Sequence, residues 1–400
     1  GALASLCGDG CATSRLVVLD IASGAIHAVM GDVLSAWPVG NDRVVIARPD
    51  GGVFLGEFDA RKSRFHSPPM PVLEGVRVGD LGAPAFVAAR NGTVLYIPGD
   101  AAATFGQQVQ ALWVTREGLA TAIDSGWSWE RIGANNNGIT LSPDGSRLAV
   151  AARATNSDDI RVKQLESGPF TRLTFDGAAG RPLWSRNGKD VWYLSRDSNS
   201  ASLYRRRADG TGSPVLVLDP ANRVEEVVET PDSAVMIIRV SLPGGNAGRR
   251  IYLFRPAAGT GDSALTPLLD SPDFNQVAPA LSPDGRWLAY VSNESGRDEV
   301  YVRPFPGVDG GRWQVSRDGG TEPAWAHSGK ELYFRSAGAN GGRGSVVAVP
   351  VLPGQGFVMG EQKELFRDRY LRDQWHAQYV VTPDDRRFIF VQDVPAGDDG

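Results

Sequence analysis

The stretch Leu281-Ser282-Pro283-Asp284-Gly285-Arg286-Trp287-Leu288-Ala289-Tyr290 decides the fold, because it recurs as Leu141-Ser142-Pro143-Asp144-Gly145-Ser146-Arg147-Leu148-Ala149-Val150. A short strand with small residues and proline, Val277-Ala278-Pro279-Ala280-Leu281, enters a Pro-Asp-Gly turn. There Pro sets φ near −65° and Gly supplies the positive φ. The next strand is apolar and β-branched or aromatic (Trp287–Val291; Val191–Leu194), a third alternates (Glu299–Arg303; Asp159–Val162), and a more polar fourth closes the unit (Phe170–Thr174). Such a unit is one blade of a β-propeller.

Degenerate copies share this outline: Trp184-Ser185-Arg186-Asn187-Gly188, Thr230-Pro231-Asp232-Ser233, Trp325-Ala326-His327-Ser328-Gly329 and Thr382-Pro383-Asp384-Asp385. More diverged ones are Gly40-Asn41-Asp42 before Arg43–Ile46, and Asn91-Gly92 before Thr93–Tyr96. Eight turns at intervals of about 43 to about 56 residues match the length of a four-stranded blade. The expectation is an all-β chain, a single eight-bladed propeller over 15–392, with seven blades as the fallback if the copy near Asn91 is absorbed elsewhere. Residues 1–14 read as an N-terminal extension and 393–400 as a tail. The last copy supplies only two strands, so Arg15–Asp20 and Ala25–Val29 are expected to complete its blade and remove two open sheet edges.

Composition agrees. The 48 Gly and 26 Pro are too many for a helical bundle and too dispersed for collagen, so they punctuate many short elements. Balancing 41 Lys+Arg against 46 Asp+Glu gives a net charge of −5 without a dense basic block, which speaks against a nucleic-acid partner. No stretch approaches the roughly 20 apolar residues of a membrane span. The two cysteines lie in Cys7-Gly8-Asp9-Gly10-Cys11, where the glycines let the backbone curl into a small disulfide loop. That pairing implies an oxidising, extracytoplasmic setting. The rival, half of a metal site, lacks a second cysteine pair and a histidine at finger spacing.

The repeat resembles the TolB-like, WD-repeat-like propellers whose inner hairpin reads W-S-P-D-G. More closely, Val291-Ser292-Asn293-Glu294-Ser295-Gly296-Arg297-Asp298-Glu299-Val300-Tyr301-Val302-Arg303-Pro304-Phe305-Pro306-Gly307 is similar to the C-terminal propellers of bacterial transmembrane serine/threonine protein kinases. Trp313–Ser316 with Gly319–Pro323, Arg172–Asp176 and Pro71–Val76 fit the same group. The resemblance implies a sensor outside the cytoplasm, joined through one membrane helix to a kinase. The chain itself carries no Gly-rich loop with a strand lysine, no His-Arg-Asp and no Asp-Phe-Gly, so it does not transfer phosphate.

Other chemistry is sparse. Prolyl-oligopeptidase-type hydrolases carry such propellers, but no Gly-x-Ser-x-Gly elbow occurs. His27, His66, His327 and His376 are scattered over different copies without a recognisable carboxylate pair, though His376, in the loop before the last copy, is placed to face the channel mouth. Asp144, Asp284 and Asp384 read as caps of their own turns rather than calcium ligands. No metal or cofactor is expected. Trp184, Trp287 and Trp325 recur at equivalent places and read as the layer between sheets. Trp127, Trp129 and Trp375 lie in loops and read either as aromatic anchors for a partner or as a lid packing on its own blade.

The residue just before the Pro-like position of each innermost strand should ring the channel mouth: Gly138, Arg181, Glu226, Ala278, Glu322 and Gln378. Of these, Arg181, Glu226, Glu322 and Gln378 have the charge and hydrogen-bonding groups to hold a small polar ligand or a peptide end. The function expected is non-enzymatic binding by an extracytoplasmic sensor or interaction module. A stand-alone secreted or periplasmic propeller that self-associates or acts as a scaffold is the alternative, and a propeller lyase or hydrolase a further one. The latter would show histidines and carboxylates converging on the axis.

Overall fold

A computed structural model describes residues 2–8, 13–48, 52–76, 84–89, 91–97, 108–132, 138–154, 157–196, 201–218, 223–241, 248–256, 264–338, 343–373 and 375–394. Among them every regular element is a strand except one 3-10 turn at Val308–Gly310. Where the sequence suggested one domain over 15–392, the chain divides into two compact units, 1–107 and 108–400.

Among the described residues the second unit is a ring of six antiparallel blades, in which the short strand Trp129–Glu130 pairs with both Gln108–Thr115 and Arg147–Ala154 and so joins the sheets of the last blade and the first. Blade I is Ile139–Leu141, Arg147–Ala154, Ser157–Gln164 and Phe170–Arg172. Blade II is Ala179–Trp184, Asp190–Arg196, Ala201–Arg207 and Val215–Leu218. Blade III is Arg223–Glu229, Met236–Ser241, Arg249–Arg255 and Ala264–Leu269. Blade IV is Gln276–Leu281, Trp287–Ser292, Glu299–Pro304 and Trp313–Gln314. Blade V is Gly320–Trp325, Glu331–Ala337, Arg343–Leu352 and Lys363–Arg367. Blade VI joins Tyr379–Val381 and Arg387–Asp393 to Gln108–Thr115 and Ala120–Ala122.

This closure corrects the expectation. The strand Arg387–Asp393 pairs along its length with Gln108–Thr115, from Val109↔Asp393 to Thr115↔Arg387. The strands assigned to that role, here Thr13–Leu19 and Ile26–Gly31, pair with each other and with Ala2–Gly8. A blade strand is covered on both faces, and Gln108–Thr115 is built for that: Val109 and Ala111 enter one core, Leu112 and Val114 the other.

Six buried clusters fill the six interfaces between successive blades, which is what makes the ring continuous. Trp184 lies between blades I and II, and Trp287 and Trp325 between IV and V.

The inner turns repeat one hydrogen-bond device. In blade IV, Asp284 Oδ1 accepts from Ser282 Oγ (2.6 Å) and Arg286 N (3.1 Å), while Trp287 N donates to Ser282 Oγ (2.9 Å). Asp144 with Ser142, Asp232 with Thr230 and Asp384 with Thr382 do the same. These contacts depress the Asp144 carboxyl to about 2, the Ser142 hydroxyl being the largest cause. Blade V has Ala326 and Ser328 at these positions. It borrows Asp385 of blade VI, whose carboxylate accepts from His327 N (2.6 Å) and Ser328 N (3.0 Å).

The first unit holds the three-stranded sheet just described and a sheet of Ser35–Val39, Arg43–Ala47, Val53–Asp59, Arg64–Phe65 and Met70–Leu73. A hairpin of Phe86–Ala88 and Val94–Tyr96 completes it. All eight turns read from the sequence thus lie in hairpins, six in the ring and two in this unit. Residues 1–14, taken for an extension, contain the strand Ala2–Gly8. The Cys7–Cys11 pairing lies outside the described residues.

Candidate binding site at the axial end of the ring

The six ring positions fall one to each blade, at the start of the innermost strands. Three adopt left-handed backbone despite carrying a side chain: Arg181 at φ 49°, Ala278 at 49° and Glu322 at 54°. Each precedes a proline and sits in a bulge of its strand. Such residues cost on the order of 1–2 kcal/mol each and persist where the surroundings fix them. Gly138 lacks a side chain for a local reason, since a Cβ there would meet Arg181 Cα at 3.1 Å.

The segment between blades V and VI lies over this end. Trp375 O accepts from Ala278 N (3.1 Å), Gln378 N donates to Glu322 Oε2 (2.8 Å), and Tyr379 Oη donates to Glu322 O (3.0 Å). Two of the left-handed residues therefore turn their groups towards it.

Two charged networks result. In blade V, Arg335 is fully buried and forks onto Asp368 (Nε–Oδ2 2.8 Å, Nη2–Oδ1 2.7 Å), while Nη1 donates to Glu322 (3.0 Å). Arg372 also donates to Asp368. Burial pushes the Glu322 carboxyl up to about 7, whereas the two arginines hold Asp368 below the usual range. At 1 % exposure Glu322 is a clamp inside the protein, not an exposed member of a mouth.

The second network joins blades II and III to the covering segment. Glu226 Oε2 accepts from Arg239 Nε (3.3 Å), and Glu225 pairs with Arg196 (3.2 Å). Arg181, buried, feels Arg239, Asp373, Glu226 and Glu225; its guanidinium is lowered to about 10, first by burial and then by the Arg239 charge. Burial raises Glu226 to about 7 against the pull of Arg239 and Arg181. Arg249 stacks over the half-buried Trp375 ring at 3.7 Å.

His376 and Asp373 form the carboxylate pair that sequence reading missed, with Nδ1 to Oδ1 at 3.0 Å. Gln378 Nε2 lies 2.6 Å from His376 Nε2, and an amide NH2 only donates. The proton therefore sits on Nδ1, towards Asp373. Burial and the Arg181 charge lower the imidazole to about 4, so it is neutral at pH 7. With its acceptor nitrogen taken by Gln378, the ring is held as a positioning group rather than open as a base.

Arg181, Glu226 and Gln378 are thus brought together through His376 and Asp373, and Glu322 joins them through the Gln378 backbone. Trp375 flanks them. Trp127 and Trp129 are elsewhere: only 7 % and 5 % exposed, they stack at 4.9 Å in the core between blades VI and I, under Lys163. They are packing residues, not anchors. Arg239 and Arg335 were legible in principle, since Met236-Ile237-Ile238-Arg239 and Leu332-Tyr333-Phe334-Arg335 occupy matching second strands. Asp373 had only the Asp-x-x-His spacing to mark it.

No family model matches the chain. A stretch of 232 residues is 27 % identical to Tricorn protease homolog 1 of Streptomyces coelicolor, covering 54 % of this chain and 21 % of that protein. The chain thus spans about a fifth of the length of the curated relative it matches. Among solved structures it is similar to TolB from Acinetobacter baumannii (TM-score 0.44, 13 % identity, 89 % of this chain and 78 % of that one). It is also similar to a putative TolB from Agrobacterium tumefaciens, with TM-score 0.53 and 17 % identity over 73 % of this chain and 99 % of that one. The fold is an all-β propeller of the TolB-like kind.

Proposed function

We propose that the chain is a non-catalytic binding module whose axial end, built by Arg181, Glu226, Arg239 and Gln378 around the Asp373–His376 pair, takes a polar ligand or peptide end. The observation that carries this reading is the convergence of charge at one end of the ring, where the buried Arg181, Arg239 and His376 meet Glu226 and Asp373. The hydrogen bond that occupies His376 Nε2 favours binding over acid–base catalysis.

The test is a panel of small acids, amines, sugars and short peptides offered to the whole chain, with hydrogen exchange followed in segments 371–378 and 223–229. Protection of both segments by at least one class is expected. A panel in which no compound protects either segment overturns the reading.

The likeness of Val291–Gly307 to kinase-linked propellers supports placing this module outside the cytoplasm, as the sensor of a membrane serine/threonine kinase. The coding sequence upstream of Gly1 decides it. An apolar segment of roughly 20 residues preceded by His-Arg-Asp and Asp-Phe-Gly motifs is expected. A cleavable signal peptide alone in that place assigns a free propeller instead. Self-association is the second reading, favoured by the hairpin Phe86–Tyr96, where Val87, Leu95 and the following Ile97 are 51 %, 73 % and 57 % exposed. Sedimentation of wild type and Leu95→Lys separates it, with dimer lost in the variant if that hairpin assembles.

A further inference from the structure

We propose that the Arg181–Arg239 pair at the axial end recognises a carboxylate, from a peptide C-terminus or a small organic acid. This rests on the binding reading above and narrows it to one ligand chemistry.

Blade V shows what a buried guanidinium at this place in a second strand takes. Arg335 carries two carboxylates, Glu322 from its own blade and Asp368 from the covering segment. Arg239 occupies the matching strand of blade III and has the matching inner-strand acid, Glu226. It is 1 % exposed, its Nε donates to Glu226 at 3.3 Å, and among the described residues its Nη2 meets no hydrogen-bond acceptor. A buried N–H without an acceptor is expensive, and a planar guanidinium is the group best shaped to accept a carboxylate on two parallel bonds.

The electrostatic surroundings favour an anion. Burial and then the Arg239 charge lower the Arg181 guanidinium, and Arg249 also feels the Arg239 charge. Opposing them are Glu225, Glu226, Asp373 and Asp298. Glu226 is the acid that competes directly for Arg239, and burial leaves it only part-ionised at neutral pH. Its side chain is 16 % exposed, against 1 % for Arg239, so Glu226 is the more open member of the pair.

Calorimetric titration of the whole chain with propionate, trialanine and trialanine amide tests the proposal. Millimolar or tighter binding of a free carboxylate is expected, with the amide silent. Trialanine binding more tightly than propionate assigns a peptide end; the reverse order assigns a small acid. Arg239→Lys, which keeps the charge and loses the fork, is expected to weaken binding by on the order of 10-fold. Unchanged or stronger binding in that variant overturns the proposal. Should Arg239→Lys not fold, Glu226→Gln serves: removal of the competing carboxylate is expected to tighten binding severalfold, and unchanged or weaker binding overturns the proposal. If no carboxylate binds while an amine or sugar protects segment 371–378, the carboxylate assignment falls and the binding reading stands.

Discussion

A guanidinium without water around it is stable only where carboxylates replace the solvent, and Arg335 meets that condition with Asp368 on one edge and Glu322 on another. Arg335→Ala strands two buried carboxylates, so a loss of about 3–5 kcal/mol in urea unfolding is expected. A loss below about 1 kcal/mol would mean that water enters and replaces the guanidinium. Glu226 has the opposite balance. Its carboxyl is raised to about 7, so the folded chain keeps a proton that the unfolded chain releases above the ordinary value of 4.5. Its contribution is fully present below 4.5 and is lost as pH rises through 7. Glu226→Gln should therefore gain stability over wild type by on the order of 1–2 kcal/mol between about pH 5 and about pH 8. His376, lowered to about 4, acts the other way and loses its contribution as pH falls from 6.5. A gap between wild type and Glu226→Gln that does not widen with pH would show that Glu226 stays ionised in the fold.

Hairpins are the elements the sequence states most openly, because a turn is local: φ, cap and acceptor lie within six residues. Asp284 and Ser282 bond within their own turn, and the same outline could be found at Asp144, Asp232 and Asp384 by inspection. The left-handed corner holds glycine in four blades, at Gly145, Gly188, Gly285 and Gly329, but Ser233 at φ 54° in blade III and Asp385 at 59° in blade VI. Ser233→Gly relieves that strain at some cost in chain entropy, and a net gain of about 0.5–1 kcal/mol in thermal unfolding is expected. A loss would show that the Ser233 side chain makes a contact worth more than the strain. The borrowed cap of blade V was not legible, because Asp385 and Ser328 lie far apart in sequence and only the blade V–VI interface brings them together. The site divides in the same way. Its ring positions followed from aligning turns, while Asp373 and Arg239 had to wait for packing to show what faced them.

At the scale of the molecule, the propeller could be read and its seam could not. Repeats announce a ring, but which strand completes the last blade depends on a pairing between Gln108–Thr115 and the far end of the chain, and that strand carries no turn signature. Deleting 108–122 bares the apolar run Phe388–Val391 along an open edge. Aggregation and loss of a single cooperative transition are expected in size exclusion and calorimetry, whereas deletion of 2–106 should leave a cooperative, monomeric ring. A cooperative ring without 108–122 would show that other strands can replace them.

The seam also has a mechanical meaning. Because its two strands are antiparallel, the ring's beginning and end leave from one edge, at Val109 and Asp393. Tension between Gln108 and Val394 therefore loads one backbone pair at a time, like a zipper, instead of shearing all seven pairs together. The ring parts at blade VI under small force while five blades keep their pairing, and it can rezip when the chain slackens. A fold whose heat resistance is shared around a closed circle thus meets a pull on its ends first at the few pairs nearest them, Val109 with Asp393 on one side and with Trp129 on the other.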